Sequence, residues 1–293
     1  MTTATIARER HLITPAALAD ALASTSPPTL LDVRFVPLEP GRREDYEREH
    51  IPGALFVDLP LELAGKSGPG AYPLPDLAAL QEVVRSWGVD TSSEIVVYDD
   101  FFGGGSARAW WTLHWAGLTK VRVLDGGLAA WRAAGGALTG TPSTWPTPST
   151  VVLRAGALKE LSIEEAAALA QDGVLIDNRP APAYQRRDEG ADATTTGHIP
   201  GAVNLPFTDL FDPDGRYRPV EELRSILDRA IRAARPEATV EEPADQVVGA
   251  YCGGGILSTQ IALALALLGR VDDSAVFIGS WSAWLEDPLR PRD

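Results

Sequence analysis

The chain repeats itself once, and the repeat constrains the fold more than any single residue does. Leu30-Leu31-Asp32-Val33-Arg34 returns as Leu175-Ile176-Asp177-Asn178-Arg179. His50-Ile51-Pro52-Gly53-Ala54 returns as His198-Ile199-Pro200-Gly201-Ala202. Ile95-Val96-Val97-Tyr98 pairs with Val247-Val248-Gly249-Ala250-Tyr251. Val123 to Trp131 pairs with Val276 to Trp284. Tyr98 lies 33 residues before Trp131, and Tyr251 lies 33 before Trp284. One unit duplicated, with drift, is the simplest account.

Each unit alternates short apolar runs with helical patterns. Strands of four or five apolar residues separated by helices predict parallel βαβ units, because a parallel strand is buried on both faces. Ile163 to Gln171 reads as a helix, with Ser162 as N-cap and Glu165 closing a capping box. It leads into the strand Val174–Ile176. Pro219 to Ala234 reads as another helix, and Ser106 as the cap of a helix carrying Trp110, Trp111 and Trp115. Those tryptophans are expected to pack the core or the domain interface. Leu138 to Thr150 is rich in Pro, Ser and Thr and has no periodicity. The predicted organisation is therefore α/β: a first domain over 8–138, a linker over 139–150 and a second domain over 151–293. Each domain is expected to be a short parallel sheet flanked by helices. Arg235 to Gln246 reads as a surface loop, and Lys66 to Pro75 is irregular.

Composition narrows the function. Forty acidic residues against 26 basic ones give a net charge of -14. That argues against nucleic-acid and anionic-membrane partners, which need clustered Lys and Arg. Met1 to Arg10 has no apolar targeting core. The longest apolar run, Ile261 to Leu268, is too short to span a bilayer. A cytoplasmic, reducing setting is the expectation. There is one cysteine, Cys252, so no intramolecular disulfide can form and no cysteine-rich metal site exists. No metal is expected at all. His50 and His198 recur in both halves without a second ligand spaced for metal, which predicts that they bond backbone in a turn. Asp32, Arg34, Asp177 and Arg179 are expected to form internal pairs.

Cys252 follows an apolar strand directly, in Tyr251-Cys252-Gly253-Gly254-Gly255-Ile256-Leu257-Ser258, and an apolar helix comes next. The sulfur therefore belongs between a strand C-terminus and a helix N-terminus, where open parallel sheets bind ligands. Three glycines allow positive φ and let several N–H groups converge. The helix dipole adds positive potential. Both favour a thiolate, and the same cradle suits an anion attached to the sulfur.

These residues resemble the tandem-domain rhodanese superfamily, the thiosulfate and 3-mercaptopyruvate sulfurtransferases. In the first half the resemblance rests on Leu31-Asp32-Val33-Arg34, Glu49 to Ala54 and Val123 to Gly127. In the second half it rests on Ile176 to Arg179, Gly197 to Phe207, the Cys252 loop and Gly279-Ser280-Trp281. It covers nearly the whole chain. Aligning Tyr98 with Tyr251 sets Asp99 opposite Cys252, which implies a first domain without the catalytic sulfur. The resemblance implies two rhodanese-like domains and a persulfide formed on Cys252. A sulfane sulfur would come from a small anionic donor and pass to cyanide, a thiol or a thioredoxin-like protein, with no cofactor. The binding loop it implies is Gly253, Gly254, Gly255, Ile256, Leu257 and Ser258.

Departures from the family fall on the donor side. Thiosulfate-type loops carry Arg and Lys after the cysteine, where this chain has Gly253 and Gly254. The mercaptopyruvate-type loop, Cys-Gly-Ser/Thr-Gly, is nearer, but Gly254 lacks its hydroxyl. The family's substrate arginine falls on Ala183, which leaves Arg186 and Arg187 as replacements. Asp58 matches a family aspartate, and Tyr72 stands where a histidine is usual. Arg179 and Trp281 are further candidates for the pocket. A cysteine phosphatase would need Arg six residues after the cysteine, and Ser258 is there. The competing reading is a sulfur carrier or persulfide-binding module fed by a protein partner.

Overall fold

The computed structural model describes residues 3–36, 39, 42–185, 196–235 and 247–293. Two five-stranded sheets, all pairings parallel, form the scaffold. In the first half β1 (Leu12–Ile13), β2 (Thr29–Asp32), β3 (Leu55–Phe56), β4 (Ile95–Tyr98) and β5 (Val121–Leu124) lie in the order β1-β5-β4-β2-β3. In the second half β6 (Lys159–Glu160), β7 (Val174–Asp177), β8 (Val203–Asn204), β9 (Val248–Tyr251) and β10 (Ser274–Val276) repeat that order as β6-β10-β9-β7-β8. The register repeats too. Asp32 is paired with Tyr98 and Asp177 with Tyr251. The central strands β4 and β9 are wholly buried, which is why they read as unbroken apolar runs.

The repeated motifs have one physical job, performed twice. Arg34 chelates the Asp32 carboxylate and reaches the Glu49 carbonyl. Arg179 chelates Asp177 (Nη2 to Oδ2 2.6 Å) and reaches the Gly197 carbonyl (2.6 Å). His50 Nδ1 bonds the Tyr46 carbonyl and stacks on the Tyr46 ring at 3.7 Å. His198 does the same with Tyr184 at 3.8 Å. The Tyr98 and Tyr251 hydroxyls each accept an N–H from the Ile after the histidine, both at 3.1 Å. Buried charge is tolerated here because every pair is closed by bidentate geometry and a carbonyl.

Local signals set the helix ends. Helix Ile163–Asp172 carries both halves of the capping box on Ser162 and Glu165. Helix Val220–Ala234 starts directly after Pro219. Ser106 departs from expectation. The helix begins at Gly104 with Gly103 as its left-handed N-cap, and Ser106 lies inside it. Its hydroxyl and amide go to the Asp99 carboxylate instead (3.1 and 2.8 Å). A buried carboxylate one loop away outcompetes the helix end for that hydroxyl.

The two halves share one core. Helix Gly104–Trp115 is buried from Gly104 through His114, and helix Thr259–Leu267 is buried at every residue. Trp110 and Trp111 have no exposed surface, and Trp115 packs at the margin of the same cluster. That cluster runs without a break from Leu31 and Val97 into Ile176, Leu263 and Leu267. The chain from 141 to 158 forms neither helix nor strand. It lies along helix Leu77–Ser86, where Leu153 N donates to Gln81 Oε1 and Arg85 Nε to the Val151 carbonyl. The N-terminal helix Thr3–His11 straps the halves together. Arg8 binds Asp125 of the first and the Tyr217 and Arg218 carbonyls of the second. No helix among the described residues is long and apolar enough to cross a membrane.

Candidate active site

β9 runs through the middle of the second sheet, and the chain turns sharply at its carboxyl end. Cys252 begins that turn and is 2% exposed. The backbone holds the residue from both sides. Cys252 N–H donates to Ser280 Oγ (3.1 Å), and the Cys252 carbonyl accepts from Trp281 N–H (3.0 Å). The Gly253 carbonyl accepts from Ser282 N–H (2.9 Å). The loop after β9 is thus clamped to the loop after β10 before any side-chain chemistry is considered.

The sulfur is met by the loop itself. Gly255 N–H donates to Sγ at 3.2 Å, and Ser280 Oγ stands 3.9 Å from it. The amides of Gly254, Ile256, Leu257 and Ser258 donate to no acceptor among the described residues. Ser258 Oγ is buried and also unpartnered. Helix Thr259–Leu267 follows directly, its first amides paired to the Ile256, Leu257 and Ser258 carbonyls, and the positive end of its dipole lies on this side of the loop. This arrangement can hold an anion on Cys252 without a metal. Among the described residues no cluster of His, Cys, Asp or Glu could bind one.

The three glycines do different work. Only Gly255 is left-handed, at φ +82°, and a Cβ there would lie 2.1 Å from the Ile278 carbonyl oxygen. Gly254 faces a cover contributed by the first half. A Cβ on it would sit 3.1 Å from both Ala71 Cβ and Tyr72 Cδ2. Gly253 is exposed, with nothing within 4 Å of its Cβ position. The irregular segment that begins near Gly65 therefore folds over the thiol. Gly70 N–H donates to Glu286 Oε1 (2.7 Å) and Ala71 N–H to Ser282 Oγ (2.9 Å), which pins it down.

The remaining candidates separate. Tyr72 lies over the loop, its ring edge-on to Phe35 at 5.3 Å. Asp58 accepts from Leu61 N–H and donates its own N–H to Glu62 Oε2, so it caps the π-helical turn Leu59–Leu63. Arg179 is committed to Asp177, and its guanidinium lies 4.6 Å from the centre of the Trp281 ring. Ala183 sits in the short helix Ala181–Tyr184. Arg186 and Arg187 lie outside the described residues.

Two contributors were not singled out from the sequence. Ser280 holds Cys252 while itself at φ +55°, a conformation a serine rarely adopts. Its signal was a serine replacing the second glycine of Gly126-Gly127. Arg108 reaches the Gly255 carbonyl from the other half of the molecule (2.7 Å). Its signal was a lone cation among Ala107, Ala109, Trp110 and Trp111.

The Rhodanese-like domain family matches the chain twice, over residues 14–134 and 162–287. A putative thiosulfate sulfurtransferase from Mycobacterium tuberculosis is 40% identical over 292 residues, covering 97% of each chain. A probable 3-mercaptopyruvate sulfurtransferase from Pseudomonas aeruginosa is 40% identical over 277 residues, covering 89% of this chain and 90% of that one. Among solved structures, the 3-mercaptopyruvate sulfurtransferase from Leishmania major superposes with a TM-score of 0.77 at 25% identity. It covers 96% of this chain, which spans 75% of that protein.

Proposed function

The chain belongs to the rhodanese-like family, with the domain present twice, and from that premise we propose that it is a sulfurtransferase whose nucleophile is Cys252. The observation that carries the reading is the sulfur's setting. It is the only thiol in the chain, it accepts the Gly255 N–H, and unpaired amides surround it.

The chemistry is a double displacement through a persulfide. The Cys252 thiolate attacks the outer sulfur of the donor, forming an S–S bond. From thiosulfate, the S–S bond to the sulfonate breaks and sulfite leaves with the electron pair. From 3-mercaptopyruvate, the C–S bond breaks and the thiol proton ends on carbon, giving pyruvate. The terminal persulfide sulfur is anionic, and the loop amides stabilise it as an oxyanion hole would. Cyanide or a thiol then attacks that sulfur and Cys252 leaves as thiolate. No cofactor enters at any step.

The donor is a small anion. The Cys-Gly-Gly-Gly loop favours 3-mercaptopyruvate over thiosulfate, since no side-chain cation follows the cysteine. Tyr72 over Gly254 then shapes the pocket, and Arg186 or Arg187 supplies charge for the carboxylate. The acceptor is a thiol or a thioredoxin-like protein in the cytoplasm. A carrier fed by a protein partner remains the second reading, motivated by the departures from the family at Gly254, Ala183 and Tyr72.

Intact-mass measurement after incubation with each donor separates the two. The sulfurtransferase gains one sulfur on Cys252 and releases it to cyanide. Cys252→Ser gains none, and its turnover falls by about a thousandfold or more. If neither donor loads the thiol, the free-donor enzyme is excluded and the carrier stands.

A further inference from the structure

Arg108 is a cation in an unusual place. It sits on helix Gly104–Trp115 of the half without the cysteine, and it has no exposed surface. Its guanidinium points across the domain interface into a ring of carbonyls: Gly255 at 2.7 Å, Tyr72 and Pro73 at 3.2 Å, and Leu63 at 3.4 Å. Among the described residues no carboxylate lies within ion-pair distance of it. A buried charge without a counter-ion costs several kcal/mol as a rule, so it persists where something returns that cost.

Gly255 ties it to the sulfur. The N–H of that glycine donates to Cys252 Sγ, and its carbonyl accepts from Arg108 Nη1. Burial draws the guanidinium down to about 10, still charged at neutral pH, and Cys252 and Glu160 are the groups that pull it back up. The charge stands one peptide away from the sulfur, linked to it by these two hydrogen bonds.

The duplication supplies an internal contrast. In the mirrored arrangement, Gln260 of the cysteine half sends its side-chain amide to the Phe102 carbonyl. Phe102 follows Asp99 by three, as Gly255 follows Cys252. Both loops are therefore held by a side chain from the opposite half. Only the one that serves sulfur is held by a charge.

We propose that Arg108 is a positioning residue for Cys252: it fixes the Gly255 turn and supplies, from the other domain, the positive charge that holds the thiolate and persulfide anions. This rests on the sulfur-transfer reading for its purpose but not for its test.

The test is the pH dependence of Cys252 alkylation by iodoacetamide, followed by intact mass, which needs no sulfur donor. A failed transfer assay therefore leaves it standing, and the reverse also holds. The other ionisable groups around the loop are Tyr72 on the cover, Glu160 at the end of β6, Glu286 beyond Ser282, and the Asp177–Arg179 pair behind Trp281. Arg108→Gln keeps amide donors for the carbonyls, as Gln260 supplies to the Phe102 carbonyl. It raises the alkylation midpoint by about one pH unit, a tenfold loss of thiolate below the midpoint. Arg108→Lys, which keeps the charge, moves it much less. An unmoved midpoint in Arg108→Gln overturns the proposal, as do equal shifts in both variants. A change in plateau rate alone also overturns it, because that reports access and not charge. Glu160→Gln, at an exposed position, gives a reading independent of how the arginine variants fold. Removing a carboxylate that Arg108 senses lowers the midpoint, and no change there counts against the charge.

Discussion

The loops at Cys252 and Asp99 are the same piece of structure put to two uses. Each follows a central strand, and each is clamped by the loop after the next strand. Trp281 N–H meets the Cys252 carbonyl at 3.0 Å, and Leu128 N–H meets that of Asp99 at 2.9 Å. The difference is the group at the centre. The Asp99 carboxylate takes N–H groups from Phe101, Gly103 and Ser106, plus the Ser106 hydroxyl, at 2.8 to 3.2 Å. Its own loop satisfies it, although burial still pushes its carboxyl up to about 6. Cys252 receives one amide, and its neighbours stay unpaired. One loop carries its own acceptor, and its amides are spent on it. The other leaves its donors free, as the proposed persulfide would require.

Backbone strain is exchanged between the loops. Where Gly255 takes φ +82°, its counterpart Phe102 takes +45°. Where Gly127 takes +57°, Ser280 takes +55°. The glycine in each pair is the relaxed solution. Serine at 280 retains the strain and gains a hydroxyl against the Cys252 amide. Strain tolerated beside the thiol is intelligible; Phe102, which is 45% exposed, keeps its strain where its carbonyl accepts from Gln260 and its ring meets Phe207 and Phe211.

Four substitutions sharpen the contrast. Gly255→Ala drives a Cβ into the Ile278 carbonyl at a positive φ. It should cost about 3 kcal/mol or more in denaturant unfolding and abolish persulfide loading. A variant as stable as the parent would show that the turn is soft. Asp99→Ala strands three amides and a hydroxyl and should cost about 2–3 kcal/mol, against about 1 for Cys252→Ala. Equal losses in the same melts would mean that the two loops are not satisfied differently. Phe102→Gly should have the smallest effect, a gain of roughly 0.5 kcal/mol. Relief of a bulky left-handed residue slightly exceeds the entropy of glycine and the lost edge contacts with Phe207 and Phe211. A net loss would locate a packing role in that exposed ring.

The fold was legible because its signals are local or repeated. Buried parallel strands announce themselves as apolar runs, Ser162 and Glu165 write a cap three residues apart, and a cysteine between a strand and a helix needs no distant partner to be placed. What escaped was tertiary. Arg108 acts on a carbonyl 147 positions away, and Ala71 reaches Ser282 across 211. No periodicity encodes such contacts. Ser106 was misplaced because a capping signature looks the same whether its hydroxyl turns to the helix end or to a buried carboxylate. Asp58 and Arg179 carry residue types that suit a pocket. Their hydrogen bonds run to the neighbouring backbone and to Asp177 instead, a choice made by geometry alone.

The helix that begins at Thr259 has no surface of its own. A helix buried on every side needs walls on every side, and here the first half builds one of them, with helix Gly104–Trp115. When one copy of a duplicated unit loses its reactive residue, it is usually free to decay or be deleted. This copy is not, because cutting it away would leave the working copy with its central helix bare in water. Mutations in the half without the cysteine should therefore be filtered by what they do to the Cys252 loop that this half covers and braces. The inheritance of the enzyme is a matched pair, and neither member could be passed on as a module.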